Sequence, residues 1–228
     1  LLVSDHLDRL VRAIAATIGL DDAVPAWGRH LAQVLSSGGR LLAAGNGGSA
    51  AQAQHLTAEL SGRYRTDREP LSAIALCTEA PALTAIGNDY GFDQAFARQV
   101  HAHGRPGDVL MLLSTSGRSP NLVEAAKAGR AVGMTIWALT GPAPNPLAAA
   151  CDDAVTVAAD TPATVQELHL ASVHILCASV DEALLTGADD VSEIAGRRPG
   201  AARNGRALNG RALNGRALNG RALNGRTQ

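Results

Sequence analysis

Aromatic side chains are scarce in this chain: they make up 3% of it, with two each of Trp, Tyr and Phe. Packing therefore falls mainly to Ala, Leu and Val. A base-stacking platform for nucleic acid and an aromatic-lined sugar cleft are both disfavoured. Cysteine is scarce too. Cys77, Cys151 and Cys177 form no CxxC pair and two of them sit in apolar runs, which predicts buried free thiols in a reducing compartment. No run of eighteen apolar residues is evident, and no charged-then-apolar leader precedes the first helical pattern. No membrane partner is expected, and the location is expected to be cytoplasmic. The chain starts at Leu1 rather than Met, so either residues precede it or its start is non-standard.

What is present is enough for one well-packed domain: 228 residues, 46% of them hydrophobic. The net charge of −1 hides an asymmetry. Eight of the 20 basic residues lie from Arg197 onward with no acid among them, which leaves the body 12 basic against 21 acidic residues, or about −9. The basic segment, 197–228, is built on four repeats of Asn-Gly-Arg-Ala-Leu. Its five-residue period matches neither helix nor strand, Asn-Gly favours turns, and one Leu per unit buries too little to offset ordering. A low-complexity tail outside the fold is expected there, the alternative being weak electrostatic binding to acidic partners or nucleic acid.

Residues 1–38 read as an N-terminal helical segment of one or two amphipathic helices, packing on the rest of the chain or on a neighbouring subunit. Over 39–190, short apolar strands alternate with helices. Strands are expected at Arg40–Ala44, Leu71–Leu76, Asp108–Leu113, Met134–Leu139 and Asp153–Val157. Helices are expected over Ser49–Leu60, around Ala80–Ile86 and Phe92–His103, over Pro120–Val132 and over Thr164–Leu185, with a Pro-rich loop after Gly141. Such alternation predicts an α/β fold: a three-layer sandwich with a doubly wound, mainly parallel sheet.

Ligands of open parallel sheets bind beyond the carboxyl ends of strands, where loops enter helix N-termini. Two polar loops occupy such places. Ser114-Thr115-Ser116-Gly117-Arg118-Ser119 offers four hydroxyls and a run of backbone N–H groups at a helix start, which suits a phosphate. A helix N-cap alone would need one hydroxyl. Gly45-Asn46-Gly47-Gly48-Ser49 is neither GxGxxG nor GK[ST], yet its glycines signal close backbone approach to a ligand. On the following helix His55 and Glu59 share one face, and Gln166 and His174 do so on a later helix. Two imidazoles, a carboxylate and an amide suit proton transfer, a metal, or both.

Together GNGGSAAQAQHLTAEL, SGRYR (Ser61–Arg65), AIGNDYGF (Ala85–Phe92), GDVLMLLSTSGRSPN (Gly107–Asn121) and VQELHLASVHIL (Val165–Leu176) resemble the sugar isomerase (SIS) domain family, in particular its phosphoheptose isomerases. The resemblance covers about residues 5 to 186. It implies substrate contacts at Asn46, Gly47, Gly48, Ser49, Glu59, Asn88, Asp89 and Gln166, with phosphate held by Ser114, Thr115, Ser116 and Ser119. It implies one zinc ion per subunit on His55, Glu59, Gln166 and His174, of which Glu59 and His174 are also the catalytic pair. It further implies a homotetramer with shared active sites. The implied reaction converts D-sedoheptulose 7-phosphate to D-glycero-D-manno-heptose 7-phosphate through an enediol, the first step of nucleotide-activated heptose biosynthesis. One departure stands out: many members carry Arg two residues before Gln166, where this chain has Thr164. That keeps open an isomerase of another sugar phosphate. A non-catalytic relative that binds a replication initiator is the other alternative; that branch lacks the acid and the imidazole present here as Glu59 and His174.

Overall fold

The computed structural model describes residues 2–17 and 22–196, with side chains described as far as 186. The repeat tail over 197–228 lies outside the described residues. The sheet has five strands, β1 (Leu41–Gly45), β2 (Ala73–Ala75), β3 (Val109–Ser114), β4 (Thr135–Thr140) and β5 (Asp153–Thr156), in the order β2-β1-β3-β4-β5. Every pairing is parallel. The helices are α1 (Leu2–Ala16), α2 (Ala23–Ser36), α3 (Gly48–Ser61), α4 (Ala80–Tyr90), α5 (Ala97–His103), α6 (Pro120–Val132), α7 (Pro146–Ala150) and α8 (Pro162–Gly196).

Strand alternation builds the two cores, because successive side chains point to opposite faces. Leu41 and Ala43 of β1, Val109, Met111 and Leu113 of β3, and Trp137 and Leu139 of β4 pack with α2, α3 and α8. Leu42, Ala44, Leu110, Leu112, Ile136 and Ala138 point the other way, into a core with Phe96, Val100, Leu122 and Ala125 from the α5–α6 side. The result is the expected three-layer α/β sandwich. Both Trp residues serve the first core: their rings stack 5.1 Å apart, and Trp27 Nε1 donates to Asp153 Oδ2 at 2.7 Å. Helix α2 thus belongs to the same core as the sheet. Helix α1 packs apart from that core, through Ala13 and Leu10 against Val157, Val165 and Leu168, while exposing Val3, Leu7, Val11 and Ile14.

Several expected elements differ in extent. The strand expected over Leu71–Leu76 shrinks to Ala73–Ala75, an edge strand with one neighbour. The Phe92–His103 stretch opens with a 3-10 turn, Phe92–Gln94, before α5. The Pro-rich loop contains α7, started by the Asn145 side chain accepting from Ala148 N at 2.9 Å. Only Cys177 is fully buried; Cys77 and Cys151 are half-buried, and all three are free thiols. Among the described residues one helical stretch, Pro162–Thr186, is long and apolar enough to cross a membrane by length and composition. Its Val173, Leu176, Cys177 and Val180 sit in the core formed with α2 and α3, which accounts for that composition.

Candidate active site

The strand order decides where chemistry can occur. Chain direction across the sheet reverses between β1 and β3, so the loops leaving these adjacent strands diverge to opposite faces and open a crevice. The two polar loops are those loops.

Chain geometry after β1 depends on glycine. A Cβ on Gly45 would lie 2.5 Å from the Ser49 carbonyl oxygen, and Gly47 has φ +55°, a left-handed conformation open to glycine. Ser49 is buried at the start of α3. The Asn46 side chain forms a reciprocal amide pair with Asn121 on α6: Asn46 Nδ2 donates to Asn121 Oδ1 at 3.0 Å, and Asn121 Nδ2 donates back to Asn46 Oδ1 at 2.9 Å. This pair ties the two loops together.

In the second loop, Ser114 Oγ accepts from Gly117 N at 3.1 Å and Ser116 Oγ from Arg118 N at 3.2 Å, so two hydroxyls shape the turn itself. Ser119 is the N-cap residue of α6, yet its side chain makes no capping bond; its hydroxyl has only a 3.5 Å contact with Ser114 Oγ. The Thr115 side chain is half-buried. The loop is braced from behind. Leu147 N donates to Gly117 O at 2.9 Å, and Asn145 fills the space a side chain on Gly117 would need. Asn145 Nδ2 also donates to Thr140 Oγ1 at 3.0 Å. What remains is a rigid, hydroxyl-rimmed helix N-terminus suited to an anion.

Across the crevice, α3 and α8 bring three titratable groups together. His55 Nε2 lies 3.1 Å from Glu59 Oε1 and 3.3 Å from His174 Nε2. Ligands at 2.0–2.1 Å from a tetrahedral zinc ion stand roughly 3.3 Å apart, so both separations match an edge of that polyhedron, with His55 the shared corner. Yet among the described residues no three His, Cys, Asp or Glu side chains are already drawn into a metal cage. Gln166 reaches the glycine loop instead: its amide occupies the space beside Gly48, and its carbonyl oxygen accepts from Gln52 Nε2 at 2.6 Å.

Two groups nearby are held neutral. Burial pushes the Cys177 thiol up to about 12, helped by the negative charges of Glu59 and Asp181. His169, fully buried on α8, is lowered to about 4 by burial, against the opposing pull of the Thr140 backbone. Among the described residues, neither of its ring nitrogens has a partner at hydrogen-bond geometry.

Asn88 and Asp89 sit near the C-terminal end of α4. They are exposed on α4, hydrogen-bonded to each other at 3.0 Å, and no residue of α4 is buried. Conversely, Asn121, Gln52, Tyr64 and Arg68 carry contacts at the site that the residue patterns did not single out. Tyr64 stacks on His174 with ring centroids 5.7 Å apart. The signals were faint: an Asn in the first turn of α6, and one aromatic in a chain that has few.

The chain matches known proteins along most of its body. Residues 4–141 match the SIS domain family. A phosphoheptose isomerase of Streptomyces coelicolor is 61% identical over 185 residues, 81% of this chain and 80% of that protein. One of Rhodospirillum rubrum is 48% identical over 170 residues, 73% of this chain and 90% of its own length. Among solved structures, a phosphoheptose isomerase from Neisseria gonorrhoeae superposes with TM-score 0.73 at 41% identity, covering 79% of this chain and 97% of that one. One from Francisella tularensis gives TM-score 0.72 at 34% identity, covering 79% and 95%.

Proposed function

The chain belongs to the SIS domain family and, within it, to the phosphoheptose isomerases; from that premise we propose that it interconverts D-sedoheptulose 7-phosphate and D-glycero-D-manno-heptose 7-phosphate. The observation that carries this reading is the pairing at one crevice of an anion-suited loop with the His55, Glu59 and His174 cluster. A ketose phosphate needs its charged end fixed and a base and acid at its carbonyl end, and the crevice offers both. The product would enter nucleotide-activated heptose synthesis at its first step.

The phosphate is held by the hydroxyls of Thr115 and Ser119 and the N–H groups opening α6, with Ser114 and Ser116 keeping the turn in shape. The first loop presents backbone from Asn46 to Ser49 to the sugar, and Gln166 closes over it. Glu59 removes the proton at C1 and returns it at C2. His174 gives a proton to O2 as the C1 proton leaves, and takes the O1 proton back as C2 is protonated, so both residues end in their starting states. Zinc would be held by His55, Glu59 and His174, and by Gln166 once its amide turns from Gly48, and would supply a Lewis acid for the carbonyl–hydroxyl pair. A liganded Glu59 is a weaker base, so the carboxylate serves one role at a time.

Asn88 and Asp89 enter this reading through a second subunit. An α4 that buries none of its residues, together with the exposed apolar stripe on α1, supports a homotetramer whose sites are completed across subunits. A cytoplasmic location accords with a phosphorylated sugar substrate.

The test is turnover of sedoheptulose 7-phosphate by the wild type and by Glu59→Gln, with zinc assayed on both and a hexose phosphate as comparison. Turnover by the wild type with near-total loss in a folded Glu59→Gln is expected. Retained metal in the variant assigns the carboxylate as base, and lost metal assigns it as ligand. No turnover of the heptulose by folded, zinc-loaded wild type would overturn the reading.

A further inference from the structure

The segment after α3 carries the Ser61–Arg65 motif, to which the proposed reaction gives no task. Its path is fixed by one buried cation. Arg68 donates from Nη2 to the Glu59 carbonyl at 2.8 Å and from Nη1 to the Leu60 carbonyl at 2.9 Å, and its Nε pairs with Asp181 Oδ1 at 2.8 Å. The guanidinium therefore satisfies two carbonyls at the C-terminal end of α3, which the helix itself leaves unbonded, and staples them to α8. The loop is closed between the helix that bears His55 and Glu59 and the helix that bears His174.

Inside that closed loop, half-buried Tyr64 lies against His174, with ring centroids 5.7 Å apart and planes 24° from parallel. The Arg65 guanidinium carbon stands 5.1 Å from the Tyr64 centroid. Among the described residues, the His174 side chain has one hydrogen-bond contact, Nε2 to His55 Nε2 at 3.3 Å. An imidazole held at one nitrogen remains free to swing about its Cβ–Cγ bond, and a half-turn puts Cε1 where Nε2 was and Cδ2 where Nδ1 was. A flat ring stacked on its face removes that freedom, because rotation would drive the imidazole edge into the phenol.

We propose that Tyr64 is a positioning residue for His174, fixing the imidazole plane so that Nε2 stays directed at His55 and the reacting oxygens. The proposal rests on the isomerase reading for its kinetic consequence but not for its geometry. Stacking needs the ring and not the hydroxyl, so Phe replaces Tyr and a branched aliphatic side chain of comparable bulk does not.

The experiment compares the full chain as wild type, Tyr64→Phe and Tyr64→Leu. The ring protons of His174 are followed by NMR, assigned through their loss in His174→Gln, and turnover is measured alongside. A ring-current shift on His174 is expected in the wild type and Tyr64→Phe and is lost in Tyr64→Leu. The Leu variant should lose about tenfold to a hundredfold in kcat, the cost of a displaced catalytic group, with KM within about twofold. Tyr64→Phe should keep wild-type kcat. Unchanged His174 shifts in the Leu variant, an unchanged kcat, or a Phe variant as impaired as the Leu variant would each overturn the proposal. Should the wild type not turn over the heptulose, the function reading fails, while the His174 shifts still decide the stack.

Discussion

The amide of Gln166 occupies the space that a side chain at Gly48 would fill: a Cβ there would lie 2.5 Å from Gln166 Nε2 and 2.7 Å from Oε1. One glycine thereby sets how closely the last long helix approaches the loop after the first strand. Gln166 is anchored from the other side by Gln52, whose amide bonds its backbone carbonyl. The two residues are 118 positions apart in the chain.

Gly48→Ala follows from this contact. The obstructing atoms are the far end of a flexible side chain, so the amide moves aside at little cost to stability. Its place over the substrate is lost, however. Tm should stay within about 2 °C of wild type, while kcat falls about tenfold to a hundredfold. Thermal melts and steady-state kinetics on one preparation check both.

Ser119→Ala separates phosphate binding from helix capping. An N-cap serine that bonds its helix is worth about 1 kcal/mol, but this hydroxyl makes no capping bond. Unfolding free energy should change by less than about 0.5 kcal/mol while KM for the sugar phosphate rises about tenfold, the loss expected of a bond to a charged group. A stability loss without a KM change would assign the hydroxyl to the helix.

Arg68→Met breaks a pair whose two side chains are 10% and 9% exposed. It leaves the Asp181 charge buried, removes the Glu59 carbonyl's guanidinium partner and leaves the Leu60 carbonyl with Leu71 N alone. Such a break costs about 3 to 5 kcal/mol, readable by urea titration. Arg68→Met combined with Asp181→Leu should recover much of the loss, since no buried charge then remains.

His169 makes stability depend on acid. Its folded value of about 4 lies below the ordinary 6.5, so the fold holds it neutral while the unfolded chain takes up a proton. Its contribution is present above pH 6.5 and is lost as pH falls towards 4, by roughly 3 kcal/mol in all. In His169→Leu this loss disappears. Denaturant midpoints at pH 7, 5 and 4 should therefore fall less steeply in the variant than in wild type.

Much of this protein is legible along the chain. Apolar runs such as Val109–Leu113 announce buried strands, and Gly45–Ser49 and Ser114–Ser119 announce ligand loops, because period and turn chemistry act within a few residues. The spacing of His55 and Glu59 places them on one face for the same reason, and they do meet, at 3.1 Å. The edge strand was less legible: Leu71, Ser72 and Leu76 have the composition of a strand but fall outside a ladder with only one neighbour. The short α7 was hidden because its cap, Asn145, reads equally well as part of a Pro-rich loop.

Local pattern thus determined the alternation of elements, both polar loops and the residue types that line them. Tertiary structure alone decided that β1 lies beside β3 rather than only beside its successor β2, which brings the two loops to one crevice. It chose Asn121 as partner for Asn46, Tyr64 for His174 and Arg68 for Asp181. These are pairings between distant segments, and no period within one segment encodes them. They follow from which helices the sheet order sets side by side, and from how closely glycines at the turns let the backbones approach.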